Sequence, residues 1–74
     1  MGLVQQIRSA ALGLGWSVQE LLEKSGLPID RSTLQRKLSG RTPATDKEIQ
    51  ELAAAIRLAR PSFRLVWPKQ RAAS

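Results

Sequence analysis

An all-α fold, a compact bundle of four to five helices, is what this sequence predicts, on three observations. Apolar residues recur at the three- and four-residue spacing of a helix face in four separate stretches. Each stretch is bracketed by capping residues ahead of it or by glycine or proline behind it. Strand-like alternation is confined to one brief run near the C-terminus. The 74 residues make one small domain. A domain of that size buries only roughly 60% of its unfolded surface, so every apolar position counts.

The first helix carries Leu3, Val4, Ile7, Ala10, Ala11 and Leu14 on one face, and Gly13 and Gly15 are expected to end it. A strong start signal follows. Ser17 caps the second helix, and Glu20, three residues on, reaches back to its amide in a capping box. Trp16 before the cap and Leu21 beyond it have the spacing of a hydrophobic staple. Val18, Leu21 and Leu22 form the buried stripe; Ser25 ends the helix, with Gly26 as its left-handed exit. Pro28 forbids helix at Leu27.

Asp30 caps a third helix, residues 31–38, whose inward residues are Leu34 and Leu38. Ile29 can staple onto Leu34, and Gly40 stops the helix. Thr45 and Glu48 repeat the capping-box spacing after Pro43. Ile49, Leu52, Ala53 and Ile56 face inward on the fourth helix, Arg57 suits its C-terminal dipole, and Pro61 ends the pattern. Beyond it, Phe63, Leu65 and Trp67 alternate with Arg64 and Val66, which favours a short extended segment. Residues 1–60 are thus expected to form the helical domain and 61–74 a C-terminal segment, frayed over 69–74. No internal repeat, low-complexity stretch or linker marks a second domain.

Composition narrows the function. The net charge is +6, from twelve Lys and Arg against six Asp and Glu. All six acids lie between Glu20 and Glu51, while Arg8 precedes them and Arg57, Arg60, Arg64, Lys69 and Arg71 follow. A basic balance favours polyanionic partners. There is no cysteine and no histidine. That removes disulfides, thiolate metal sites, cysteine nucleophiles, the usual general base and the commonest zinc ligand. No cofactor, metal or small-molecule ligand is therefore expected, and no enzyme. Glu20, Asp30 and Glu48 are better explained as helix starts than as acid–base groups. No apolar run approaches the roughly 20 residues that span a bilayer. Gln5, Gln6 and Arg8 interrupt any signal-peptide core, and Gln6 stands where a myristoylation signal needs Ser or Thr. A cytoplasmic protein without membrane contact is the expectation.

Residues 17–40 carry the most informative pattern: a capped helix, a glycine turn and a second short helix with a basic outer face. A helix-turn-helix needs that arrangement to place one helix in the DNA major groove. The third helix presents Arg31, Ser32, Gln35 and Arg36 outward, with Lys37 towards its flank. Arginine can bond guanine bidentately, glutamine adenine, and serine either. Ser17 and Gln19 at the start of the second helix, with Lys37, Arg41 and Thr42, are placed for phosphate contacts.

Glu20-Leu21-Leu22, Gly26, Thr33-Leu34, Gly40-Arg41, Pro43, Glu48-Ile49, Leu52-Ala53 and Ile56 together resemble the Cro/XRE family of phage-repressor-like helix-turn-helix proteins. The resemblance covers residues 4–58. Pro28 and Ile29 lengthen the turn relative to the family pattern, and the Phe63–Trp67 run stands where many members have a fifth helix. The resemblance implies a bundle of four or five helices that binds double-stranded DNA sequence-specifically, often as a dimer on a two-fold site. It implies base contacts at Arg31, Ser32 and Arg36, and phosphate contacts at Ser17 and Arg41. The expected function is a small transcriptional regulator of repressor type. The alternative is a helical module that binds the transcription machinery or another protein. Phe63, Leu65 and Trp67 are the candidates for a homodimer contact or, failing that, for the edge of the core.

Overall fold

The computed structural model describes residues 2–67. Four helices follow one another: α1 (Leu3–Gly13), α2 (Val18–Ser25), α3 (Arg31–Ser39) and α4 (Asp46–Ala59). No strand occurs among the described residues. The expected fraying of residues 69–74 lies outside them.

Local chemistry sets the helix starts. The Ser17 hydroxyl accepts from the Glu20 amide at 3.2 Å while the Glu20 carboxylate accepts from the Ser17 amide at 3.1 Å. Thr45 and Glu48 form the same reciprocal pair at α4. Asp30 accepts from the Thr33 amide at 2.8 Å and caps α3. Each arrangement satisfies first-turn amides that have no partner within the helix.

Two exits share one geometry. Gly15 (φ 75°) and Gly40 (φ 88°) take the left-handed conformation, which any Cβ disfavours. The amide of the next residue then turns back across the helix end, Trp16 to the Ala11 carbonyl at 2.9 Å and Arg41 to the Arg36 carbonyl at 3.0 Å. α1 ends at Gly13, as its spacing suggested, but without a left-handed residue there. Gly13 is the last helical residue, Leu14 stays right-handed, and the reversal falls on Gly15 alone. One left-handed residue suffices to turn the chain.

The core draws on all four helices: Leu3, Ile7, Ala10 and Ala11 from α1, Leu21 from α2, Leu34 and Leu38 from α3, Ile49, Leu52 and Ile56 from α4. α4 lies against both α1 and α2, and α3 packs on α2 and α1. The Cα radius of gyration, 11.6 Å, is close to the ~11 Å of a compact chain this long. α3 spans nine residues, one more than the sequence predicts, and holds its place through Leu34 and Leu38.

The run after α4 keeps the predicted alternation over residues 63–66 without a strand partner, but Trp67, expected on the same side as Phe63 and Leu65, is exposed. Phe63 and Leu65 are half-buried against the core of their own chain, while Arg64 and Val66 are exposed. The Gln6 side chain clips the run in place. Its Nε2 donates to the Val66 carbonyl at 2.9 Å and its Oε1 accepts from the Val66 amide at 2.8 Å. A side-chain amide thus supplies the two bonds a neighbouring strand would supply. Phe63 and Leu65 therefore belong to the edge of the core rather than to an open apolar stripe.

Candidate nucleic-acid interface

α3 is amphipathic with a sharp division. Leu34 and Leu38 point into the core, and the opposite side carries Ser32, Gln35, Arg36 and Ser39, spaced i, i+3, i+4, i+7. These four and Arg41 line one shallow depression, and all five are exposed. Arg41 stands beside Arg36 because its amide is bonded to the Arg36 carbonyl. The Ser39 hydroxyl donates to the same carbonyl at 3.0 Å. The depression thus holds two guanidinium groups, a carboxamide and two hydroxyls, and no carboxylate lines it.

A second concavity adjoins the first and shares Gln35 and Ser39 with it. It lies where α1, the start of α2 and α3 meet. Its polar rim adds Arg8 and Ser17, and its floor is apolar, with Trp16, Val18 and Leu21. The Lys24 ammonium sits 5.1 Å from the Trp16 ring centroid, within reach of a cation–π contact.

Sequence reasoning put Ser32, Gln35, Arg36 and Arg41 on one surface, and the structure brings them together. Ser17 joins them through the shared groove. Arg31 is exposed in the first turn of α3 but lines neither concavity, since position 31 falls a quarter-turn away from that face. Gln19 is exposed and donates to the Glu23 carboxylate at 3.0 Å, its helical i+4 neighbour. Thr42 is half-buried, and its amide donates to the Arg36 carbonyl at 3.3 Å.

Lys37 does not stand free for a phosphate. Its ammonium pairs with Glu48 at 2.9 Å and donates to the Pro43 carbonyl at 3.3 Å, and the side chains of the pair are only 12% and 16% exposed. The flank of α3 that carries Lys37 faces the start of α4, so the lysine is used inside the fold.

Two residues of this surface were missed. Ser39 continues the Ser32, Gln35, Arg36 face by one turn, and the same periodicity would have found it. Arg8 lies on α1, and only the approach of α1 to α2 and α3 brings it to the groove; no local pattern marks it.

The charges near the face are settled by short contacts. The Thr33 hydroxyl and amide, with a smaller contribution from the Arg36 guanidinium, hold the Asp30 carboxyl below its ordinary value. Arg36 Nη2 lies 3.5 Å from the Thr33 hydroxyl, at the outer limit of a hydrogen bond, so its fork remains available. At α2 the capping box uses the amides of Ser17 and Glu20, and the Glu20 carboxylate sits at the helix start. The box thus takes two of the amides at this helix start, and the carboxylate beside them opposes an anion there.

No group of three or more His, Cys, Asp or Glu side chains that could hold a metal ion occurs among the described residues. No helix among them is long and apolar enough to cross a membrane. Searches against family models, curated proteins and solved structures find no match for this chain.

Proposed function

We propose that the protein binds double-stranded DNA sequence-selectively, as a small transcriptional regulator of repressor type, with α2, the turn 26–30 and α3 acting as a helix-turn-helix. The observation that carries this is the carboxylate-free depression on α3, where Ser32, Gln35, Arg36, Ser39 and Arg41 converge. Forked and short polar donors on one helical face suit base edges better than solvation alone requires. Leu34 and Leu38 lock the helix to the core, so the face is presented rigidly. Arg36 and Gln35 read bases, with Ser32 beside them and Arg31 reaching in from the first turn of α3, outside the depression. Arg41, Ser17 and Arg8 contact phosphates. No catalytic step belongs to this function: the chain has no His or Cys, and Glu20, Asp30 and Glu48 are engaged at helix starts.

Selection of bound sites from random duplexes tests it. A preferred site should emerge, and binding should weaken steeply as salt rises, because phosphate contacts release counterions. Arg36→Ala should lose about 1–3 kcal/mol on that site and relax selection at one base pair. Equal loss on preferred and random DNA would make Arg36 a phosphate contact. The second reading is a helical module for a protein partner, and Leu12, 68% exposed at the edge of the Trp16 groove, favours it. On that reading no site emerges and binding survives high salt.

A further inference from the structure

We propose that the arginines at the C-terminal end of α4 form a second DNA-backbone contact, so that one molecule holds two segments of duplex. The proposal rests on the reading that the α3 face binds DNA.

The starting point is the uneven charge. No acid follows Glu51, and Arg57, Arg60 and Arg64 come after it. All three are exposed, and none is ion-paired among the described residues. They surround two adjoining depressions. Arg57 and Arg64 line one with Gln50 and Trp67; Arg60 and Arg64 line the other with Ser9 and Ser62. Among the described residues, no carboxylate lines either one.

A helix end does not account for three cations. The C-terminal dipole of a helix amounts to roughly half a negative charge. Arg57, in the last turn of α4, answers it, and Arg60 follows at the cap. Arg64 lies beyond the helix and is brought back by the Gln6–Val66 clip and by the packing of Phe63 and Leu65. The surplus positive charge is thus gathered by the fold.

This surface is distinct from the α3 face. No residue lining these two depressions lines either of the concavities beside α3. α4 acts as a strut between them. Its first turn is tied to α3 by the Glu48–Lys37 pair, and its far end carries the arginines, about 20 Å away for a helix of this length. α1 divides the two in the same way: Arg8 and Leu12 line the α3 side, Ser9 and Ala10 the other.

Duplex DNA fits this surface better than an acidic protein does. Duplex offers one negative charge per ~1.7 Å of axis, so arginines spread over a helix end and the following turn each meet a phosphate. Guanidinium forks bond phosphate oxygens in pairs, and the hydroxyls of Ser9 and Ser62 add donors. The centre of a protein–protein contact is apolar and poor in serine, whereas Ser9, Ser62 and Gln6 stand beside the arginines of the Arg60 depression.

Capture of a second duplex decides it. One short duplex carrying the preferred site is fixed to beads, the protein is bound, and a labelled duplex of unrelated sequence is added. The parent protein should retain the labelled duplex. The triple variant Arg57→Gln, Arg60→Gln, Arg64→Gln should bind the fixed duplex within about twofold of the parent yet retain roughly tenfold less of the labelled one, with a salt slope lower by about the number of phosphate contacts removed. The charge-keeping Arg→Lys triple variant should still bridge, which guards against a folding defect. The proposal is overturned if the parent retains no second duplex, or if the Gln variant bridges as well as the parent, since two paired protomers would then be bridging through α3. It is also overturned if the variant loses both duplexes equally, or if polyglutamate rather than duplex binds through these arginines. Failure of the α3 reading shows differently: Arg36→Ala then matches the parent on every duplex.

Discussion

Glu48 joins two helices through one carboxylate. Its Oε1 accepts from the Thr45 amide and from the Lys37 ammonium, each at 2.9 Å. The Thr45 amide first and the Lys37 ammonium second hold its carboxyl below the ordinary 4.5. Asp30 is lowered in the same direction by Thr33. A carboxyl whose folded pKa is depressed stabilises the fold above its unfolded pKa and loses that contribution as pH falls through the folded value. Melting temperature should therefore drop as the pH is taken from 6 to below 4.5, and Glu48→Gln should flatten part of that drop. A Glu48→Gln profile parallel to the parent's would show the ion pair to be energetically idle. Its geometry also explains why the pairing of Lys37 could not be read from sequence. Eleven residues separate it from Glu48, and only the approach of α3 to the start of α4 turns a flank lysine inward. The capping role of Glu48, by contrast, was legible, because Thr45 lies three residues away in the chain.

At the scale of the helix, spacing along the chain carried most of what could be read. All four helices fall where apolar periodicity and caps place them, since both signals act within a turn or two. The Ser17 cap joins two reciprocal bonds; Ser17→Ala should cost about 1 kcal/mol and lower the thermal midpoint by roughly 4–8 °C for a domain this small. An unchanged midpoint would mean the box contributes nothing in solution. α3 depends on packing instead. Nine residues cannot sustain a helix in water alone, and Leu34, fully buried, is its main anchor. Leu34→Ala should cost about 2–5 kcal/mol. Circular dichroism should show lost helix at temperatures where the Ser17→Ala protein stays folded, and the proposed DNA binding should fail with it. What the helix pattern could not show is the company each outer face keeps. Arg8 reaches the α3 groove across a contact between helices, so the candidate surface was legible on α3 and illegible on α1.

The whole molecule closes with the run after α4, where local pattern left two outcomes open, a self-association surface or the edge of the core. Alternation alone cannot choose, because both outcomes need one apolar side. The choice depends on Gln6, sixty residues away, whose carboxamide meets both backbone groups of Val66. Phe63 and Leu65 then cover the core between α1 and α4. Val66, 71% exposed, and Trp67, 38% exposed, remain at the surface. Truncation after Arg60 strips this cover and exposes apolar surface on both helices, so the shortened chain should melt well below the parent and lose helical content. Gln6→Ala removes only the clip. Two solvent-exposed bonds at about 0.5–1 kcal/mol each predict a milder fall, with the fold and the α3 face intact. Sedimentation separates the alternative. If the run instead holds two protomers together, the truncated chain stays helical, sediments as a monomer where the parent is a dimer, and binds a palindrome with two half-sites ~34 Å apart more weakly than the parent does. A truncated chain as stable as the parent and of unchanged assembly would remove both roles and leave Phe63 and Leu65 as surface packing of no consequence.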